Sequence, residues 1–146
     1  MPNLHEVVEC LLPMYLEKET QLLVNNSSEQ AISHRLAVML EKEFSEWNVD
    51  CEYNRDESTI KRLKYAISPN EPVEERNVVP DIIVHKRMTQ SNLLVIEVKK
   101  STNPEPDEKD IAKLNAFKVQ LGYQEALFVR FLAGTQEPEI QCIKWV

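Results

Sequence analysis

Two short apolar runs with charged ends most constrain what this chain can fold into. Val79-Pro80-Asp81-Ile82-Ile83-Val84 is followed, after a polar stretch, by Leu94-Val95-Ile96-Glu97-Val98-Lys99. Strands over about 81–87 and 93–99, with Thr89-Gln90-Ser91-Asn92 at the turn, make an antiparallel hairpin. Side chains alternate between the faces of a strand, and Asp81, Glu97 and Lys99 are all odd-numbered. With the hairpin centred near Gln90, residue 81 lies opposite 99 and residue 83 opposite 97, and directly opposed residues share a face. The three charged groups then form one patch, which a slip of one residue would split. The same residues allow a plainer reading, in which Asp81 opens a strand and Glu97 and Lys99 charge an exposed edge against unwanted pairing.

The rest of the chain supplies helices and further strands. Leu4, Val7, Val8, Leu11, Leu12, Tyr15 and Leu16 recur at helical spacing, with Pro13 set to end or kink that helix. Ser27 with Gln30 has the capping-box pattern, and a second helix is predicted over about Glu29 to Phe44, with Ile32, Leu36, Met39, Leu40 and Phe44 inward. Val49, Cys51 and Tyr53 alternate with polar residues as in a half-buried strand. Residues 55–78 are polar, with Ile60, Leu63 and Ile67 as one short apolar face of either helix or strand, followed by a long loop. Beyond the hairpin, Ser101 to Asp107 reads as a loop and Asp110 to Gln120 as a helix with Ile111, Leu114 and Phe117 on one face. Ala126 to Leu132 is a nearly continuous apolar strand, suited to a sheet centre. Gly134 to Pro138 turns the chain into a last strand through Ile140, Cys142, Ile143 and Trp145. This order predicts an α/β fold, a mixed sheet with helices against it.

Composition narrows the classes of function. A chain of 146 residues, 42% of them apolar, fits one globular domain with a real core. Two glycines leave no glycine-rich phosphate loop. The apolar runs fall short of the roughly 20 residues that cross a bilayer, and no secretory signal opens the sequence. Three widely spaced cysteines, Cys10, Cys51 and Cys142, read as buried free thiols in a reducing compartment, so the expectation is a cytoplasmic protein away from membranes. The net charge of -7 argues against a broad basic surface for nucleic acid, though a local stripe of lysine and arginine remains compatible with it.

The Asp81, Glu97 and Lys99 patch suits phosphodiester chemistry. Two carboxylates can hold a hard divalent cation, Mg²⁺ with Mn²⁺ as a substitute, which keeps waters and takes a phosphate. Such a cation neutralises phosphate charge and acidifies its bound water. A lysine beside it orients the attacking water and offsets developing negative charge.

Pro80-Asp81 followed by Glu97-Val98-Lys99 resembles the PD-(D/E)xK nuclease signature, and the element order is similar across most of the chain. Ser33-His34-Arg35-Leu36-Ala37, Val49 to Arg55, Val79 to His85 and Glu97 to Lys100 together resemble a small bacterial branch of that superfamily. The resemblance implies a restriction-endonuclease-like fold: a central four-stranded mixed sheet flanked by helices, here with an added N-terminal helix and a fifth strand. It implies Asp81 and Glu97 as metal ligands, the Val98 carbonyl as a third, and Lys99 as the catalytic lysine. It also implies an acidic residue on the first core helix, for which Glu29 is the candidate through the face it shares with Ile32, Ser33 and Leu36. An acid in that first turn would equally stabilise the positive end of the helix.

Weaker candidates surround these. Lys113 and Gln120 lie on the helix after the motif strand, where related nucleases carry a lysine or glutamine that meets DNA or the attacking water. Glu52 could join the acidic cluster. His34 could contact phosphate or bond to Glu52 or Tyr53, and His85 shares strand parity with Asp81. Arg55 or Lys61 could touch a nucleic-acid backbone. Each also reads as ordinary solvated surface or a satisfied polar group.

Metal-dependent hydrolysis of nucleic acid, DNA by the resemblance, is the first functional expectation. The alternative is a catalytically silent nuclease fold used for DNA binding or protein assembly, and a third reading is an immunity or inhibitor protein. A homodimer is expected, the apolar residues of the first helix and of Ile143 to Val146 either covering its interface or completing a monomeric core, and a partner protein could supply recognition.

Overall fold

The computed structural model describes residues 3–51, 61–65 and 73–146, with only the backbone of 61–65 and 74–78. Its elements are α1 (Leu4–Lys18), α2 (Thr20–Val24), α3 (Glu29–Glu43), β1 (Asn48–Cys51), β2 (Lys61–Tyr65), β3 (Glu74–Val78), β4 (Ile82–His85), β5 (Asn92–Lys100), α4 (Asp107–Leu121), β6 (Glu125–Leu132) and β7 (Glu139–Trp145). Five strands form one sheet in the order β1-β4-β5-β6-β7, and β2 and β3 pair antiparallel as a separate two-stranded sheet. Among the described strands of the main sheet only β5 and β6 run parallel, joined across one face by α4. The fold is thus a mixed α/β one, with a mostly antiparallel central sheet flanked by helices.

Strand alternation divides the core in two. Ile82, Val84, Leu94, Ile96, Val98, Leu127, Val129 and Phe131 pack with Val8, Leu12, Tyr15, Ile32, Leu36 and Leu40 of α1 and α3. Ile83, Val95, Ala126 and Phe128 pack with Leu114, Phe117 and Tyr123 on the α4 side. Glu97 and Lys99 alternate with Ile96 and Val98, so their side chains fall on the α4 face.

Local chemistry accounts for the helix boundaries and corrects several expectations. Asn3 and Glu6 form a reciprocal capping box at the start of α1. Pro13 neither ends nor breaks this helix, which continues to Lys18. Pro13 is exposed, and burial of Val8, Leu11, Leu12 and Tyr15 outweighs the roughly 3 kcal/mol cost of an interior proline. The cap of α3 is Ser28, not Ser27: its hydroxyl accepts from the Ala31 N–H. α4 begins three residues before the predicted Asp110, its first turn holding Asp107, Glu108 and Asp110 at the positive end of the helix. Gly122 closes it in the left-handed region, at φ 69°. The polar stretch of unsettled conformation contributes strands β2 and β3, and Tyr53 to Arg55 lie outside the described residues.

The hairpin register differs by two residues from the predicted one. Ile82 pairs with Ile96 and Ile83 with Val95, so residue 83 faces 95 rather than 97. A two-residue shift preserves facing, and carrying this register on by one residue sets Asp81 beside Glu97 rather than Lys99. The cysteines are free, but Cys10 is exposed and Cys51 and Cys142 are half-buried, so they are not the fully buried thiols predicted. Among the described residues, no helix is long and apolar enough to cross a membrane.

Candidate functional site

A cleft of about 240 Å³ opens where β4 begins and β5 continues past it, under the first half of α4. Glu29, Asp81, Glu97, Val98 and Lys99 line it, together with Asn103, Glu105, Lys109, Asp110 and Lys113. Five acids meet three lysines there.

Asp81 sits in the bend before β4, and its Oδ2 accepts from the Val98 N–H at 2.7 Å. Burial pushes its carboxyl well above the usual carboxylate range, and the neighbouring Glu97 carboxylate adds to the push. Lys113 and the Val98 N–H oppose both. Glu97 is 2% exposed. Its Oε1 lies 2.6 Å from Lys113 Nζ, a charge pair at hydrogen-bonding distance. Lys113 Nζ meanwhile donates to the Val79 carbonyl at 2.8 Å.

Lys99 is as buried as Glu97 and points at the first turn of α4, 3.1 Å from Asp110 and 3.6 Å from Asp107. Asp107 also pairs with Arg130 of β6. The Asp110 carboxyl is pushed up by burial and by Glu97, against the pull of Lys99 and Lys113. Glu29 closes the opposite wall. Its carboxylate accepts from the Lys100 N–H at 2.9 Å and from Asn103 Nδ2 at 2.9 and 3.0 Å. Glu29 therefore fixes the end of β5 to α3 while lining the cleft.

Two adjacent carboxylates in a buried place share either a proton or a cation. Asp81 and Glu97 fit a hard cation in donor chemistry, as two carboxylates side by side in the cleft. The Val98 carbonyl fits as well. Within a strand a residue directs its N–H and C=O to the same side, and the Val98 N–H is directed at Asp81. Among the described residues no three His, Cys, Asp or Glu side chains are grouped to hold a metal, so a cation here would rely on two carboxylates, a carbonyl and water.

The remaining candidates separate. Lys113 joins the cleft. His85 does not: it bonds Asp50 Oδ2 at 2.6 Å, beyond the bulge at Val84 and His85, at the opposite end of β4. His34 is exposed on α3 and lines a second cleft of about 170 Å³ with Glu41, Asp50 and Arg87. Gln120 is exposed near the far end of α4 and does not line the first cleft. Glu52 and Arg55 lie outside the described residues, and of Lys61 only the backbone is described.

Sequence reasoning missed Asp110 and Asn103 at the cleft, and Asp50 outside it. A signal existed for Asp110: it stands three and seven residues before Lys113 and Phe117, on the face that packs on the sheet. No family model, curated protein or solved structure matches the chain.

Proposed function

We propose that this chain is a restriction-endonuclease-like, cation-dependent phosphodiesterase that hydrolyses DNA. The observation carrying this reading is the adjacent Asp81 and Glu97 pair at a cleft that also holds Lys99. The element order from α3 through β1, β4, β5, α4 and β6 supports it. A divalent cation held by Asp81, Glu97 and the Val98 carbonyl would neutralise phosphate charge and acidify its bound water.

The chain's own residues have defined tasks. Asp81 and Glu97 supply negative charge at a fixed spacing, and the Val98 N–H orients Asp81. Lys99 would set its positive charge where negative charge builds on the phosphoryl oxygens, held in place by Asp110. In the reaction a water oxygen bonds to phosphorus as the P–O ester bond breaks. The water gives up a proton, and the leaving oxygen takes one.

Incubation with Mg²⁺ or Mn²⁺ and linear, nicked, flapped and branched DNAs tests the proposal. Cleavage should require the cation and vanish in Asp81→Ala and Glu97→Gln. Lys99→Met should cut at a rate lower by about 10²–10³-fold. Absence of cleavage by the wild type, or equal cleavage by Asp81→Ala, overturns the reading.

One observation favours a second reading, a nuclease fold used for binding without turnover: Lys99 and Lys113 are already paired with acids of this chain. Cation binding without cleavage of any DNA would select it. A homodimer placing two clefts on the two strands of a duplex belongs to the first reading. The apolar residues first assigned to its interface do not argue for it, because Val8, Leu12, Ile143 and Trp145 pack in or against this chain's own core. Light scattering at several concentrations tests it, and a persistent 17.0 kDa mass rejects it.

A further inference from the structure

We propose that Lys113 is a built-in competitor for the cation: its ammonium holds the Asp81 and Glu97 pair when no metal is bound, and so sets how much metal the site needs. This rests on the proposed metal site and concerns its regulation.

Three observations carry it. Lys113 Nζ stands 2.6 Å from Glu97 Oε1, closer than a second cation could share without strong repulsion. Glu97 is 2% exposed, so the compensation for its charge comes from this chain rather than from water. Lys113 also donates to the Val79 carbonyl, two residues before Asp81. This second anchor holds the ammonium over the carboxylate pair from the α4 side. Lys99 cannot take the same role, because Asp110 and Asp107 draw it toward the start of α4.

Buried carboxylates cannot stay charged without a counter-ion. In this cleft the counter-ion is supplied by the chain, and an incoming divalent cation must displace it or bind against it. Lys113 therefore stabilises the metal-free protein and weakens metal binding together.

The test compares Mn²⁺ binding, read by the loss of the free-ion electron paramagnetic resonance signal, in the full chain and its variants. Lys113→Met should bind Mn²⁺ about tenfold more tightly than wild type. In EDTA it should melt at a lower temperature, and saturating Mn²⁺ should raise its melting temperature by more than it raises that of the wild type. Lys113→Gln should shift in the same direction and serves if the Met variant does not fold. Lys109→Met, which removes an exposed lysine at the same cleft, should change the affinity by no more than about twofold. Equal or weaker Mn²⁺ binding by both folded Lys113 variants overturns the inference while leaving the metal site standing. No Mn²⁺ binding by the wild type or by either variant overturns the metal site, and the inference with it.

Discussion

At the scale of single residues, buried charge falls in two places among the described residues. One is the cleft. The other is Asp50 of β1, which is buried and holds two partners from the β4–β5 hairpin. Arg87 donates to both its oxygens, through Nε at 2.9 Å and through Nη2, and His85 bonds it at 2.6 Å. Arg87 holds the Asp50 carboxyl below its ordinary range, with His85 assisting against the effect of burial. A carboxyl depressed in the folded state stabilises above its unfolded pKa, near 3.9. That contribution is lost as the pH falls through its lower folded value. Asp50→Asn should therefore cost about 1–3 kcal/mol near neutrality, and the gap to wild type should close as urea titrations move to lower pH. A gap that stays constant with pH would show that the charge of Asp50 does not matter. Asp81, Glu97 and Lys99 were legible in the sequence because charges ending apolar strands are conspicuous and parity fixes their face. Asp50 was not, because an aspartate alternating with Val49 and Cys51 looks like the solvated side of a strand. The tertiary placement of Arg87 and His85, 37 and 35 residues away, shows otherwise.

At the scale of elements, the helices and the central strands followed from periodicity, while their ends followed from chemistry that short patterns share. Ser27 and Ser28 both offer a hydroxyl, and only the backbone direction at the start of α3 selects Ser28. The start of α4 was hidden by Pro104 and Pro106, which read as loop, although a proline fits just before a helix because its missing N–H is not needed there. The hairpin register was off by two because its connection runs from Lys86 to Ser91 and a bulge follows Val84. Residues 55–78 gave no period strong enough to choose strand over helix, and β2 and β3 pair chiefly with each other. Two predictions belong here. Gly122→Ala should destabilise by about 1–2 kcal/mol in urea, since Ala resists the left-handed conformation at φ 69°; an unchanged midpoint would mean the cap relaxes. The buried Tyr15 hydroxyl donates to the Ile32 carbonyl at 2.8 Å and ties α1 to α3. Tyr15→Phe should cost about 1 kcal/mol, and no loss in thermal or urea melts would assign that tie to packing alone.

At the scale of the whole molecule, a net charge of -7 sets the terms on which a nucleic acid could approach. Without a cation in the cleft the phosphate backbone meets an acidic protein, so binding in EDTA should be weak and should fall further with salt. Adding Ca²⁺, which takes the same oxygen ligands, should tighten binding to DNA in fluorescence anisotropy for wild type and not for Asp81→Ala. Equal binding by both in Ca²⁺ would place the DNA surface elsewhere. The parallel neighbours β5 and β6 carry a different consequence, for the order in which the chain is made. A hairpin such as β4–β5 closes through a short connection in microseconds. β5 and β6 can meet only after the chain has travelled out and back through α4. Until then Glu97 and Lys99 stand on a bare sheet face in water. In pulse-labelled hydrogen exchange the amides of β4 and β5 that pair with each other should gain protection before those of β6, and the opposite order would contradict this. On that order, the charges that line the cleft should keep their hydration through the early steps of folding and give it up when α4 comes down to cover them.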